Sequence, residues 1–176
     1  MKAVLILAFL GLASGIAWIP APRGEWWWLP KHRSFVETTN RFPHDIKIIF
    51  YGDSITESWF TAGWEIYYSK YAPLGTVNYG IGGDRTEHLL FRIQDGEVKG
   101  LHPKLIVLKI GTNNIGGVPK DTADDTVRGI RTVVDLLLEL LPNSKILILG
   151  VLPRQNATFF ETIADINIKI SKFHDG

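Results

Sequence analysis

Ser54 stands where a nucleophile can work. It closes Phe50-Tyr51-Gly52-Asp53-Ser54, at the end of the apolar run that begins at Ile46. Two more polar clusters follow the next two apolar runs: Gly80-Ile81-Gly82-Gly83-Asp84 and Gly111-Thr112-Asn113-Asn114. Acyl transfer needs these residue types: a hydroxyl to attack a carbonyl, and donors already in place for the oxyanion that forms. Glycine lets a backbone N–H approach a ligand closely, and an asparagine side chain adds a donor. Each cluster also has an ordinary reading. Ser54-Ile55-Thr56-Glu57 fits a capping box. Gly82-Gly83-Asp84 fits a strand-to-helix loop with Asp84 as the cap. Gly111 to Asn114 fits a turn, which accounts for one asparagine and leaves the other free. Capping and catalysis are compatible at Ser54, because a helix N-terminus offers free N–H groups and a positive field.

Three such clusters make one site only if their strands end together. Candidate strands cover residues 47–51, 76–79, 105–110 and 145–151. They are rich in Ile, Val and Leu with little alternation, as in parallel strands buried on both faces. Helical stretches cover 31–41, with Phe35 and Val36 inward, and 64–71, 85–94, 122–141 and 159–173. The clearest is 122–141, where Val127, Ile130, Val134, Leu137, Leu138 and Leu141 mark one face and Pro142 stops the helix. This alternation predicts an α/β protein: a three-layer α/β/α, flavodoxin-like, doubly wound parallel sheet. Ligands on such sheets bind outside the carboxyl ends of the strands, where the three clusters fall.

Composition narrows the function. The chain has 176 residues, 45% hydrophobic and 21% charged, which describes one globular domain. A net charge of +1 and no basic cluster point away from nucleic acid and anionic membranes. Without cysteine there are no disulfides and no thiolate chemistry. A nucleotide-binding alternative rests on the glycine loop alone, and the Walker lysine is absent. At the N-terminus, Lys2, an apolar stretch over 3–12 and small residues at 13–17 have the order of a secretory signal peptide. Residues 1–17 are therefore expected to be removed from a secreted, extracellular protein, in which the sequon at Asn156 is open to glycosylation. Residues 18–44 form a Trp/Pro-rich lead-in and a helix. Its Trp26-Trp27-Trp28 triplet is expected to pack on the body, with a sugar- or lipid-contacting patch as the alternative.

Gly52-Asp53-Ser54, the loop from Asn78 to Asp84 and Gly111-Thr112-Asn113, in this order, resemble the SGNH (GDSL-type) hydrolases. The likeness is nearest to the group with the catalytic subunits of type I platelet-activating factor acetylhydrolase, and runs from about Trp26 to Pro153. The resemblance implies an ester hydrolase that needs no metal or organic cofactor and acts on small lipid or carbohydrate esters. It implies Ser54 as nucleophile, with its own N–H, the Gly83 N–H and the Asn113 side chain as oxyanion donors, and Asp53 and Gly82 in support. The family's base is a histidine in an Asp-x-x-His block after a fifth strand. Here His174-Asp175 has those residue types in the wrong order, and His32, His44, His88 and His102 do not match. The expectation is a hydrolase-type domain over 45–176 that lacks its last strand and its Asp–His pair. The alternative is a non-catalytic binding module that keeps the pocket. A sheet ending on strand 145–151 has an unpaired edge, which is compatible with a homo-oligomer.

Overall fold

A computed structural model describes residues 15–173. Its centre is a four-stranded parallel sheet: β1 (Ile48–Gly52), β2 (Thr76–Gly80), β3 (Leu105–Lys109) and β4 (Lys145–Ile148), in the spatial order β2-β1-β3-β4. Helix α1 (Trp28–Arg41) precedes the sheet, and α2 (Ser54–Glu57) and α3 (Trp64–Ile66) follow β1. Helix α4 (Thr86–Arg92) follows β2, α5 (Thr112–Gly116) and α6 (Ala123–Leu140) follow β3, and α7 (Phe160–Ile170) follows β4. The order is that of the α/β sheet predicted from the sequence.

One face of the sheet carries the main core. Ile49, Tyr51, Ile106 and Leu108 are fully buried there, in one cluster with residues of α4, α6 and α7. Helix α6 begins on a reciprocal cap. Thr122 Oγ1 accepts from the Asp125 N–H at 3.1 Å, and the Asp125 carboxylate accepts from the Thr122 N–H at 3.4 Å. Its buried face is Ile130, Val133, Val134 and Leu137, whereas Leu138 turns to the rim and is exposed. Residues 15–17, the expected cleavage region, are part of this packing. Ala17 is buried, and its carbonyl accepts from Thr86 Oγ1 at 2.7 Å.

The second face is covered over β1, where Phe50 packs against Trp59, Tyr67 and Tyr71. Toward β4 it opens into a groove of about 590 Å³ lined by Val107, Leu147, Leu149 and Leu152 among others. Strand β4 is shorter than the apolar run implies. Beyond it, the Asn167 amide from α7 brackets Val151, accepting from its N–H at 2.8 Å and donating to its carbonyl at 3.0 Å. A side chain thus replaces the ladder. The tryptophan triplet divides: Trp28 is fully buried and Trp26 is 87% exposed.

The two faces should respond differently to truncation. Ile106→Ala is expected to cost about 2–5 kcal/mol in urea unfolding, and Leu147→Ala, at a half-exposed position, about 0.5 kcal/mol or less. The reverse order would contradict this placement of the core.

Candidate active site at the strand ends

Register brings the three clusters level. Gly52 pairs with Gly80 on β2 and with Lys109 on β3, so the loops after all three strands leave the same edge. Ser54 opens α2 there and is exposed. It is not the helix cap. Asp53 takes that role, accepting from the Ile55 N–H at 2.9 Å. Glu57 does not complete a capping box either. Its Oε2 accepts from the Gly82 N–H at 2.7 Å, and its Oε1 pairs with Lys31. The Ser54 hydroxyl is left without a hydrogen-bond partner among the described residues.

The glycine loop offers one free amide beside it. The Gly82 N–H is tied to Glu57, and the Asp84 N–H donates to the Ile81 carbonyl at 3.1 Å. The Gly83 N–H between them has no acceptor among the described residues. Gly83 has φ +81°, in the left-handed region that side chains disfavour, and Arg23 lies against it. The asparagines separate as the turn reading allows. Asn114 is structural: its Oδ1 accepts from the Thr86 N–H at 3.1 Å and its Nδ2 donates to Asp121 at 2.8 Å. Asn113 spends one N–H on the Asp84 carbonyl, at 2.9 Å, and lines the cleft with Ser54.

That cleft is about 560 Å³, walled by Ser54, Thr112, Asn113, Leu152, Arg154 and Phe159 among others. Arg154 donates to the Thr112 carbonyl at 3.0 Å and lies over the Phe159 ring. A second cavity of about 400 Å³ lies beyond Asn113 and Gly83 and is lined by Arg23, Arg85, Glu87 and His88.

Buried ion pairs underlie the site. Lys109 Nζ lies 3.1 Å from Asp53 Oδ2. Burial pulls the lysine below its ordinary pKa, against the opposing pull of Asp53. Asp84 is not the cap of α4; its carboxylate is fully buried. It accepts from Trp28 Nε1 at 2.7 Å, Arg92 Nε at 2.9 Å and Arg23 Nη1 at 3.3 Å. Burial raises its pKa, and the two guanidiniums and the indole N–H draw it back. Arg92 also grips Glu97 at 2.8 Å, and the ring nitrogens of His32 lie 2.8 Å from Glu97 and Asp95. Sequence reading missed this cluster. The spacing of Asp84, His88 and Arg92 along one helix line was its only local signal, since Arg23 and Trp28 arrive from about 60 residues away.

No histidine of the described residues lines the Ser54 cleft. His32 is buried in the ion-pair cluster, and His44 and His102 are exposed before β1 and β3. His174 and Asp175 lie outside the described residues, as does most of the expected signal peptide. His88 lines the second cavity. Its Nδ1 accepts from the Arg85 N–H at 3.0 Å, which places the ring proton on Nε2. Among the described residues no group of three His, Asp or Glu is arranged to hold a metal ion.

The parallel α/β sheet, with Ser54 and Asn113 in one strand-end cleft, is the fold of an acylhydrolase class. The model of the GDSL-like Lipase/Acylhydrolase family matches residues 50–172, and the chain belongs to that family. Among curated proteins it is similar to platelet-activating factor acetylhydrolase IB subunit alpha1 of Bos taurus, 35% identical over 133 residues. That alignment covers 75% of this chain and 53% of the relative. The alpha2 subunit of Rattus norvegicus is 36% identical over 132 residues, covering 75% and 54%. The chain thus spans about half the length of the curated relatives it matches. Solved structures agree in fold. A GDSL-like lipase from Bacteroides thetaiotaomicron superposes with a TM-score of 0.65 at 21% identity, covering 81% of this chain and 72% of its own.

These relatives correct the expectation of secretion. A match to acetylhydrolase IB subunits points away from secretion. Ala17 itself is part of the packing: its carbonyl lies against Thr86 and Gly129. Glycosylation at Asn156 loses its premise. Its side chain accepts from the Thr158 N–H at 3.0 Å and caps a short turn.

Burial and the neighbouring guanidiniums of Arg23 and Arg85 push His88 down to about 3. Between that value and the unfolded value of about 6.5, the unfolded chain holds the extra proton. Stability tied to His88 is therefore full above pH 6.5 and falls as pH drops toward 3, by at most about 1.4 kcal/mol per pH unit. Urea melts at pH 7 and 4.5 should show a larger acid loss for the wild type than for His88→Asn. Equal losses would mean that His88 takes up a proton freely in the folded state.

Proposed function

We propose that the strand-end cleft is an ester-hydrolase site in which Ser54 accepts the acyl group. The Ser54 and Gly83 N–H groups and the Asn113 amide receive the oxyanion. The observation that carries this reading is the set of groups left unused. Ser54 Oγ and the Gly83 N–H have no partner among the described residues, while Asp53, Gly82 and Asn114 beside them are all engaged. In the mechanism Ser54 Oγ attacks the ester carbonyl and its proton must go to a base. The carbonyl oxygen takes the charge and turns to the three donors, which bind it more strongly than the neutral ester. Collapse expels the alcohol, and water then releases the acid. The hydrolase-type domain is residues 45–176, with the segment from 18 to 44 packed onto it.

The acetylhydrolase relatives support a small acyl group, acetyl above all, and the alcohol is read as a lipid or a carbohydrate. The alternative, a binding module that keeps the pocket without the chemistry, is favoured by one observation: no histidine of the described residues faces Ser54.

A fluorophosphonate probe at pH 9 tests the choice, because hydroxide can replace a missing base. Slow labelling is expected, confined to Ser54, absent in Ser54→Ala and reduced about 10²-fold in Asn113→Ala. Turnover of p-nitrophenyl acetate at pH 7 should be close to background. Robust turnover lost in Ser54→Ala would show that a base is present, and absence of labelling would favour the binding module.

Self-association belongs to the same proposal. Within the described residues the outer edge of β4 has no strand beside it, and Leu147 and Leu149 are exposed in the adjoining groove on the sheet's second face. Sedimentation velocity is expected to show concentration-dependent association, reduced by Leu149→Lys; a monodisperse monomer at all concentrations would contradict it.

A further inference from the structure

Gly82 and Gly83 are neighbouring amides with opposite fates, and Glu57 separates them. Its carboxylate accepts from the Gly82 N–H at 2.7 Å, while Arg23 Nη1 donates to the Gly82 carbonyl at 2.6 Å. Gly82 is therefore held at both of its peptide units: Glu57 fixes the one before it, and Arg23 fixes the one after it, whose N–H is that of Gly83 and is left without an acceptor among the described residues. A Cβ on Gly82 would lie 2.8 Å from Glu57 Oε2 and 3.7 Å from Ser54 Cβ, so the loop sits directly against the nucleophile's residue. Glu57 and Ser54 share one helical turn, α2. The helix that presents the hydroxyl thus also holds the loop that presents the amide. Lys31, from α1, pairs with Glu57 and restrains the carboxylate.

We infer that Glu57 is a positioning residue, seated by Lys31, that sets the Gly83 N–H at a fixed distance from Ser54 for the oxyanion. The inference rests on the ester-hydrolase reading and adds a residue outside the family's catalytic set. Acyl transfer is sensitive to such placement, since an error of about 1 Å in the reacting geometry costs on the order of 10²-fold in rate. Three groups bear on Glu57: the Gly82 amide, Lys31 and solvent on its exposed third. Removing the carboxylate frees the loop, whereas a glutamine keeps an oxygen that accepts from Gly82 and loses only the charge.

The test compares fluorophosphonate labelling of Ser54 at pH 9 in the wild type, Glu57→Gln, Glu57→Leu and Lys31→Met, with thermal melts of each. Labelling of Glu57→Leu is expected to slow at least about tenfold, with Glu57→Gln within about threefold of the wild type. A purely structural role would lower the melting midpoint and leave the labelling rate of folded protein unchanged; that result overturns the inference. So does a glutamine variant as slow as the leucine one. If the wild type is not labelled at all, the ester-hydrolase reading fails separately. Amide hydrogen exchange then decides the clamp: faster exchange at Gly82 in Glu57→Leu upholds it, and unchanged exchange overturns it. Should Glu57→Leu fail to fold, Lys31→Met carries the comparison, expected between the wild type and the leucine variant in a folded chain; wild-type labelling there overturns the role given to Lys31.

Discussion

A single buried carboxylate joins the parts of this molecule that the chain brings in from a distance. Asp84 ends the glycine loop, and its two oxygens gather Arg23 from the lead-in, Trp28 from the start of α1 and Arg92 from α4. Arg92 passes the link to Glu97 and, through His32, back to α1. Such a cluster contributes little net stability over an apolar equivalent, yet removing one partner strands a charge at a cost of about 3–5 kcal/mol. What it specifies is position. The loop beside Ser54 cannot shift without moving α1 and α4.

The sheet supplies the other half of the geometry. Parallel register sets Gly52, Gly80 and Lys109 at one height, so three loops far apart in sequence open on a common edge. Local chemistry then sorts the groups within each loop. Asp53 caps α2 and is itself held by Lys109, Glu57 occupies the Gly82 amide, and Asn114 anchors α5 to α4. By exclusion, Ser54 and Asn113 are left lining the cleft, and the Gly83 N–H, on the cavity beyond Asn113, is left without an acceptor among the described residues.

The strand–helix alternation was readable because each element has a strong period. Residues 122–141 repeat at helical spacing, and the strands are short apolar runs bounded by Gly, Pro and Asn. The three strand-end clusters were also readable, since their composition does not depend on distant partners. The division of labour inside them was not. Ser-x-x-Glu looks the same whether the glutamate folds back on its own helix or reaches across to Gly82. Asp84 looks like a helix cap until Trp28 and Arg92 enclose it. The expectation of secretion rested on the order of residue types at 2–17, which carries no information about packing, and Ala17 lies in a packing seam against Thr86.

The two sides of the cleft differ in how far they can change. Around Gly83 the backbone is in a left-handed conformation with a guanidinium against it, and Gly82 is held at both its N–H and its C=O. A substitution there meets steric, conformational and electrostatic objections together. The opposite wall, Leu152 to Phe159, is held mainly by Arg154 on Thr112 and by stacking on a ring. In an evolving lineage, or in a mutant library, the shape of the cleft would therefore change from the Arg154 side. The glycine side, behind Asn113, would stay as it is.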